Sequence, residues 1–189
     1  METVTMTRQQ EFLNYSTLEP WEREIVDKYP SIYRTPNPRI RDFYGDKYEE
    51  LISNPEFTNL RYGFEFEKGW AKLVDEFSNT VSELVAHLVF YEIQRDAYVR
   101  ACIYKSKMGT LEWQGDHNLI SPYNKLLWSY VNDIERESAT ICELTGNHGV
   151  LCKNSRGWRT TLCRDKAREL GCEPVNADMK RYWEKLDKE

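Results

Sequence analysis

The chain has 189 residues and a formal net charge of -5, enough length for one domain with a proper core or a main domain with a small appendage. Its acidic balance, with a sequence pI of about 5.4, disfavours binding to duplex DNA through phosphate neutralisation. No apolar run approaches the roughly 20 residues of a membrane span, and the five cysteines, an odd number, suit reduced thiols or metal ligands better than a disulfide framework.

The opening METVTMTRQQEFLNY lacks the apolar core of a signal peptide, so a cytoplasmic location is expected. About seventeen polar residues there are expected to fray. The spacing then predicts a helix over Leu18–Tyr29, with Pro20 in its first turn and Pro30 stopping it. Thr35–Arg41 carries two prolines and reads as a linker. A short helix is predicted over Tyr44–Ile52, ended by Asn54-Pro55.

The strongest pattern begins after Gly69. Trp70, Leu73, Val74, Phe77, Val81, Leu84, Val85 and Leu88 form one apolar stripe at helical spacing. His87 lies beside that stripe and is read as a packed or solvated residue. From Tyr98 the period drops to two, with Val99, Ala101 and Ile103 on one face and Tyr98, Arg100, Cys102 and Tyr104 on the other. Lys107-Met108-Gly109 reads as a hairpin turn, after which Leu111 and Trp113 resume the alternation. Gln114–Asn118 reads as a loop. A second long helix follows Ser121-Pro122, with Ser121 as cap, Pro122 in the first turn and the stripe Tyr123, Leu126, Leu127, Tyr130, Val131, Ile134. A last helix from about Ala177 carries Met179, Tyr182, Trp183 and Leu186 and is expected to dock on the core. The fold class is therefore α+β: long helices on a small antiparallel hairpin sheet, with a main domain over 1–139 and a knuckle and tail helix over 140–189.

Residues 140–172 look like a zinc knuckle with half its ligands missing. A structural zinc needs four N or S donors. Cys142 is followed three positions later by Thr145, and Cys163 three positions later by Lys166, where partner ligands belong. The donors that remain are Cys142, His148, Cys152 and Cys163. Their spacing matches no common zinc motif, although a structural zinc on a rebuilt Cys3His set is stereochemically possible. The alternative is a metal-free knuckle in which the cysteines act as small apolar residues and Trp158 supplies the core.

Several segments, in order, resemble a group of uncharacterised phage and prophage proteins. These are Tyr29-Pro30-Ser31-Ile32-Tyr33-Arg34, then Gly63-Phe64-Glu65-Phe66-Glu67-Lys68-Gly69-Trp70, then the hairpin Tyr104–Trp113. The knuckle adds Cys142, Glu143, Gly146, Gly149, Gly157, Trp158, Thr161, Leu162 and Cys163. The resemblance covers about residues 29–165 and implies an α+β fold and a phage or mobile-element setting, but no activity. Thr145 and Lys166 depart from it at two ligand positions, and Glu112 stands where a basic residue is the group's pattern.

Catalytic chemistry has little support. The carboxylate pairs Glu49/Glu50, Glu65/Glu67 and Asp75/Glu76 are not bracketed by histidine in a general acid/base arrangement. The three histidines lie in no zinc-hydrolase context, and no phosphate-cradling or nucleophile-elbow motif occurs. Binding has more. Arg156, Trp158 and Arg159 set two guanidinium groups around an indole, and Lys105 and Lys107 flank a hairpin turn near Tyr104 and Trp113. Such sets suit base stacking with phosphate pairing or a protein hot spot. With 13% aromatic residues, the chain has enough such rings for a recognition surface or simply for large core filler.

The expectation is thus a non-enzymatic accessory protein that binds and inhibits or sequesters a host protein, as a counter-defence protein would. Two alternatives are a sequestering protein for a signalling nucleotide and a zinc-stabilised binder of single-stranded nucleic acid. No membrane partner and no obligatory cofactor are expected, and a homodimer is compatible with the pattern.

Overall fold

The computed structural model describes residues 15–35, 45–54, 57–60 and 62–186. Helices α1 (Pro20–Lys28) and α2 (Pro30–Tyr33) open it. Pro30 does stop α1, but with its fixed φ it also starts α2. The N-cap is Glu19, and the carboxylate of Glu22, three residues on, accepts the N–H of Glu19 at 2.6 Å and that of Phe64 at 3.1 Å. One side chain thereby closes the helix start and pins it to the first strand. The linker expected over Thr35–Arg41 falls outside the described residues after Thr35. The short helix becomes a 3-10 turn at Gly45–Lys47 leading into α3 (Tyr48–Ser53).

Strand β1 (Phe64–Glu65) runs parallel to β2 (Val99–Lys107), which pairs antiparallel with β3 (Thr110–His117) in the order β1-β2-β3. Between them in sequence lies α4 (Ala71–Phe90), and α5 (Tyr123–Ser138) follows β3. The predicted stripe of α4 is buried from Leu73 to Leu88 apart from the half-buried Val85, with Trp70 buried just before the helix. On α5, Leu127, Val131 and Ile134 are buried, whereas Leu126 stays exposed.

Three local expectations are corrected. The strand alternation breaks at Cys102, where the register shifts between Ala101 and Ile103. This bulge turns Tyr104 inward after Val99 and Ala101 and leaves Ile103 half-buried. Gln114–His117 is strand rather than loop, because pairing with Val99–Ile103 overrides the weak strand propensity of Gly and Asp. Pro122, not Ser121, is the N-cap of α5, and no side-chain cap is made.

Half of the described aromatic residues are buried. Tyr33, Phe64, Phe66, Trp70, Phe77, Tyr104 and Trp113 are all under 9% exposed. The Tyr33 hydroxyl lies 2.7 Å from that of Ser78 and donates to that of Tyr104 at 3.1 Å. Burial pushes the Tyr104 phenol well above the ordinary tyrosine range.

The C-terminal segment forms its own small sheet, ordered β5-β4-β6. Its elements are β4 (Val150–Lys153), β5 (Arg159–Leu162), α6 (Arg164–Glu169), β6 (Glu173–Pro174) and α7 (Ala177–Leu186). Cys142, Val150, Cys152, Leu162, Ala167 and Trp183 make a separate core. Trp183 brings α7 onto it, as the tail pattern predicts.

This module is stitched to the rest of the protein. The Gly69 N–H donates to the Glu143 carbonyl at 2.7 Å, the Trp70 indole N–H to the Ile141 carbonyl at 2.8 Å, and the Thr161 hydroxyl to the Gly109 carbonyl at 2.6 Å. No described helix is long and apolar enough to cross a membrane.

Candidate functional site

Two hairpin tips meet at the seam between the main domain and the module. The first is the β2–β3 turn, where Met108 and Gly109 have φ of 56° and 87°, both left-handed as a two-residue hairpin of this type requires. The second is the β4–β5 loop, and Asn154 organises it. Its Oδ1 accepts the N–H groups of Arg156 and Trp158 at 2.9 and 3.0 Å, while its carbonyl accepts that of Gly157. With the asparagine side chain gathering the loop from inside, Arg156, Gly157 and Trp158 face outward.

Between the tips runs a groove of about 880 Å³. Lys107 and Met108 stand on one bank and Arg156, Trp158 and Arg159 on the other, with Glu67, Ser106 and Glu143 also lining it. The groove therefore joins parts of both predicted patches, which lie some fifty positions apart in the chain.

The structure sorts the predicted ligand-binding residues into two groups. Arg156 and Arg159 are exposed, and no ion pair is formed by either among the described residues. Trp158 is 74% exposed. It is not the knuckle's core residue, because Trp183 fills that role from α7. Tyr104 and Trp113, by contrast, are 0% and 3% exposed and are withdrawn as ligand-binding residues. The bulge at Cys102 and the inward phase of β3 put both against Phe77, with ring centroids 6.5 and 5.9 Å away.

Lys105 and Lys107 occupy an intermediate position. Both pair with Glu112, at 3.4 and 2.6 Å. Hydrogen bonding from Lys107, with help from Gln114 and Lys105, holds the Glu112 carboxyl down at about 2. The lysines' charge is thus largely spent inside the hairpin, and only Lys107 reaches the groove.

Glu143 is the site residue that spacing alone does not reveal. Its carboxylate accepts the Ser106 hydroxyl at 2.9 Å and the backbone N–H of Glu67. Burial pushes its carboxyl above the ordinary range, and the nearby Glu67 charge pushes the same way. A carboxyl raised in the folded state stabilises the protein while protonated, and that stability is lost as pH rises through the raised value. Glu143→Gln is accordingly expected to raise Tm over wild type at pH 8, with the gain shrinking towards pH 4. Thermal melts of both proteins across that range check it.

The four remaining metal donors are not gathered. Among the described residues, no group of three or more His, Cys, Asp or Glu side chains is placed to hold a metal ion. The His148 ring packs on Tyr182 at 5.2 Å, and its backbone bridges to Ile141. The Cys152 thiol points at the Val150 carbonyl at 3.3 Å, and burial pushes it up to about 12. Cys142 and Cys163 are brought close, but by hydrogen bonds. Burial pushes the Cys142 thiol up, yet the Thr145 hydroxyl and the N–H groups of Cys163, Leu144 and Thr145 more than offset this and hold it below the ordinary thiol range.

No family model, curated protein or solved structure matches the chain.

Proposed function

We propose that the chain is a non-enzymatic binding protein that grips an acidic segment of a partner protein in the groove beneath Trp158, and inhibits or sequesters that partner. The observation that carries this reading is a 74% exposed indole between two guanidinium groups with no ion-pair partner among the described residues. Trp and Arg dominate hot-spot energetics because they combine a large apolar face with directional donors.

Charge distribution supports the same partner. Residues 1–139 carry 23 acidic and 16 basic side chains, while residues 140–189 carry 8 and 10. An acidic segment is therefore repelled by the main domain and drawn to the module. A small nucleotide suits the groove less well, since small-molecule sites bury about 70–90% of their ligand and here the main contact residues stand exposed on the rim. In the phage or mobile-element setting that the resemblance implies, the partner is a host protein in the cytoplasm and the effect is counter-defence.

The test is a Trp158 fluorescence titration with an acidic peptide, a single-stranded oligonucleotide and a nucleotide mixture, each at several salt concentrations. Saturable quenching by the acidic peptide alone supports the proposal. Tighter binding of the oligonucleotide, with log K falling by about 0.7 per phosphate contact against log salt, overturns it in favour of nucleic acid. Trp158→Ala is expected to weaken peptide binding at least tenfold. Its stability should stay within about 0.5 kcal/mol of wild type, as for other surface changes, which calorimetry checks.

A further inference from the structure

The turns around Cys142 and Cys163 have the form of zinc-ligand loops, but the ligand set does not fit zinc. The Cys142 carbonyl accepts the N–H groups of Thr145 and Gly146 at 3.3 and 2.8 Å, and Gly146 takes a φ of 76°. Cys163 caps α6 in extended conformation, so Lys166 lies in the first turn of that helix. The positions three residues after each cysteine, where the pattern puts the other two ligands, hold Thr145 and Lys166. A neutral hydroxyl is a poor zinc ligand beside thiolates and imidazoles, and an ammonium has donors only and no lone pair.

What those two side chains do touch is informative. The Thr145 hydroxyl donates to the Cys163 sulfur at 3.7 Å, lies within reach of the Cys142 sulfur, and accepts the Asn147 N–H at 3.3 Å. Lys166 bonds the Glu169 carboxylate at 2.6 Å, on the next turn of its own helix. A bound zinc does two things for such a knuckle: it ties two loops together and it balances the charge of the sulfurs. Here the first of these falls to one hydroxyl, which links the loops at 3.7 Å.

We infer that Thr145 replaces the metal as the tie between the two loops, so that the knuckle closes through a hydroxyl–thiol contact and presents the Trp158 loop without zinc. This contact is independent of what the groove binds. It separates the module from nucleic-acid knuckles that need zinc to fold.

The experiment uses the full chain, kept reduced with a phosphine, as wild type and as the Thr145→Cys/Lys166→Cys double variant. Wild type is expected to carry no zinc by native mass spectrometry when purified without chelator, and its Tm should not move in EDTA. The double variant is expected to take up one Co²⁺ per chain with tetrahedral d–d bands and a thiolate charge-transfer band. Zn²⁺ should displace that ion, and Tm should rise with added metal. A double variant that is unfolded alone and folds on adding Zn²⁺ supports the inference equally. One zinc per wild-type chain, a wild-type Tm lowered by EDTA, or a double variant that binds no Co²⁺ whether folded or not, would overturn it.

Discussion

Gly69→Ala is expected to lower Tm by about 10 °C, taking a loss of roughly 3–4 kcal/mol and about 2–4 °C per kcal/mol for a chain of this size. A Cβ at this position would stand 2.3 Å from the Cys142 carbonyl oxygen and 2.4 Å from that of Glu143. Both are backbone atoms, so no side chain can swing aside. Relief requires the 142–143 segment to back away from the 3-10 turn at Lys68–Trp70, and that movement breaks the 2.7 Å bond from the Gly69 N–H to the Glu143 carbonyl. Because Glu143 also holds Ser106 at 2.9 Å, the groove floor should loosen with it. Hydrogen exchange of Glu143 and Thr161 amides, faster in the variant than in wild type, distinguishes an opened seam from a general loss of stability. Unchanged exchange and an unchanged Tm would show that the close approach at Gly69 does not matter.

Trp70→Ala is expected to cost about 3–5 kcal/mol, the range for removing a large aromatic from a core. The indole is fully buried and packs on Phe66 at a centroid distance of 6.0 Å. Its N–H donates to the Ile141 carbonyl at 2.8 Å, immediately before Cys142. The substitution therefore leaves a cavity and an unsatisfied carbonyl together. Trp70→Phe keeps most of the apolar volume and loses the bond, so a smaller cost of about 1–2 kcal/mol is expected. Equilibrium denaturation of the two variants measures both terms; equal costs would mean that the lost hydrogen bond is the whole effect, and a Trp70→Phe protein as stable as wild type that packing is.

Much of the scaffold is legible without coordinates. A stripe of eight apolar residues from Trp70 to Leu88 can be buried in only one way on a helix, because local periodicity and burial agree there. The turn at Met108–Gly109 and the docking of Trp183 through the tail helix were legible for the same reason. Each depends on residues within one or two turns of each other. The alternation in β2 was misleading from Cys102 onward, since a bulge is set by the partner strand and not by the strand's own pattern. That single shift carried Tyr104 from a supposed binding face into the core.

The site shows the same division. Residue types alone picked out Arg156, Trp158, Arg159 and Lys107, and these do line one groove. Which aromatics were free to face solvent was a tertiary decision. Trp113 and Tyr104 were claimed by the packing of Phe77 and Tyr33, whereas Trp158 was displaced outward because Trp183 already fills the module's core. Likewise, the sequence determined that Thr145 and Lys166 stand three positions after Cys142 and Cys163. Only the folded chain, by bringing the Thr145 hydroxyl to the Cys163 sulfur 18 positions away, decided that the loops meet. Spacing along a chain predicts contacts within an element, and contacts between elements depend on how the surfaces left over from local folding fill each other's space.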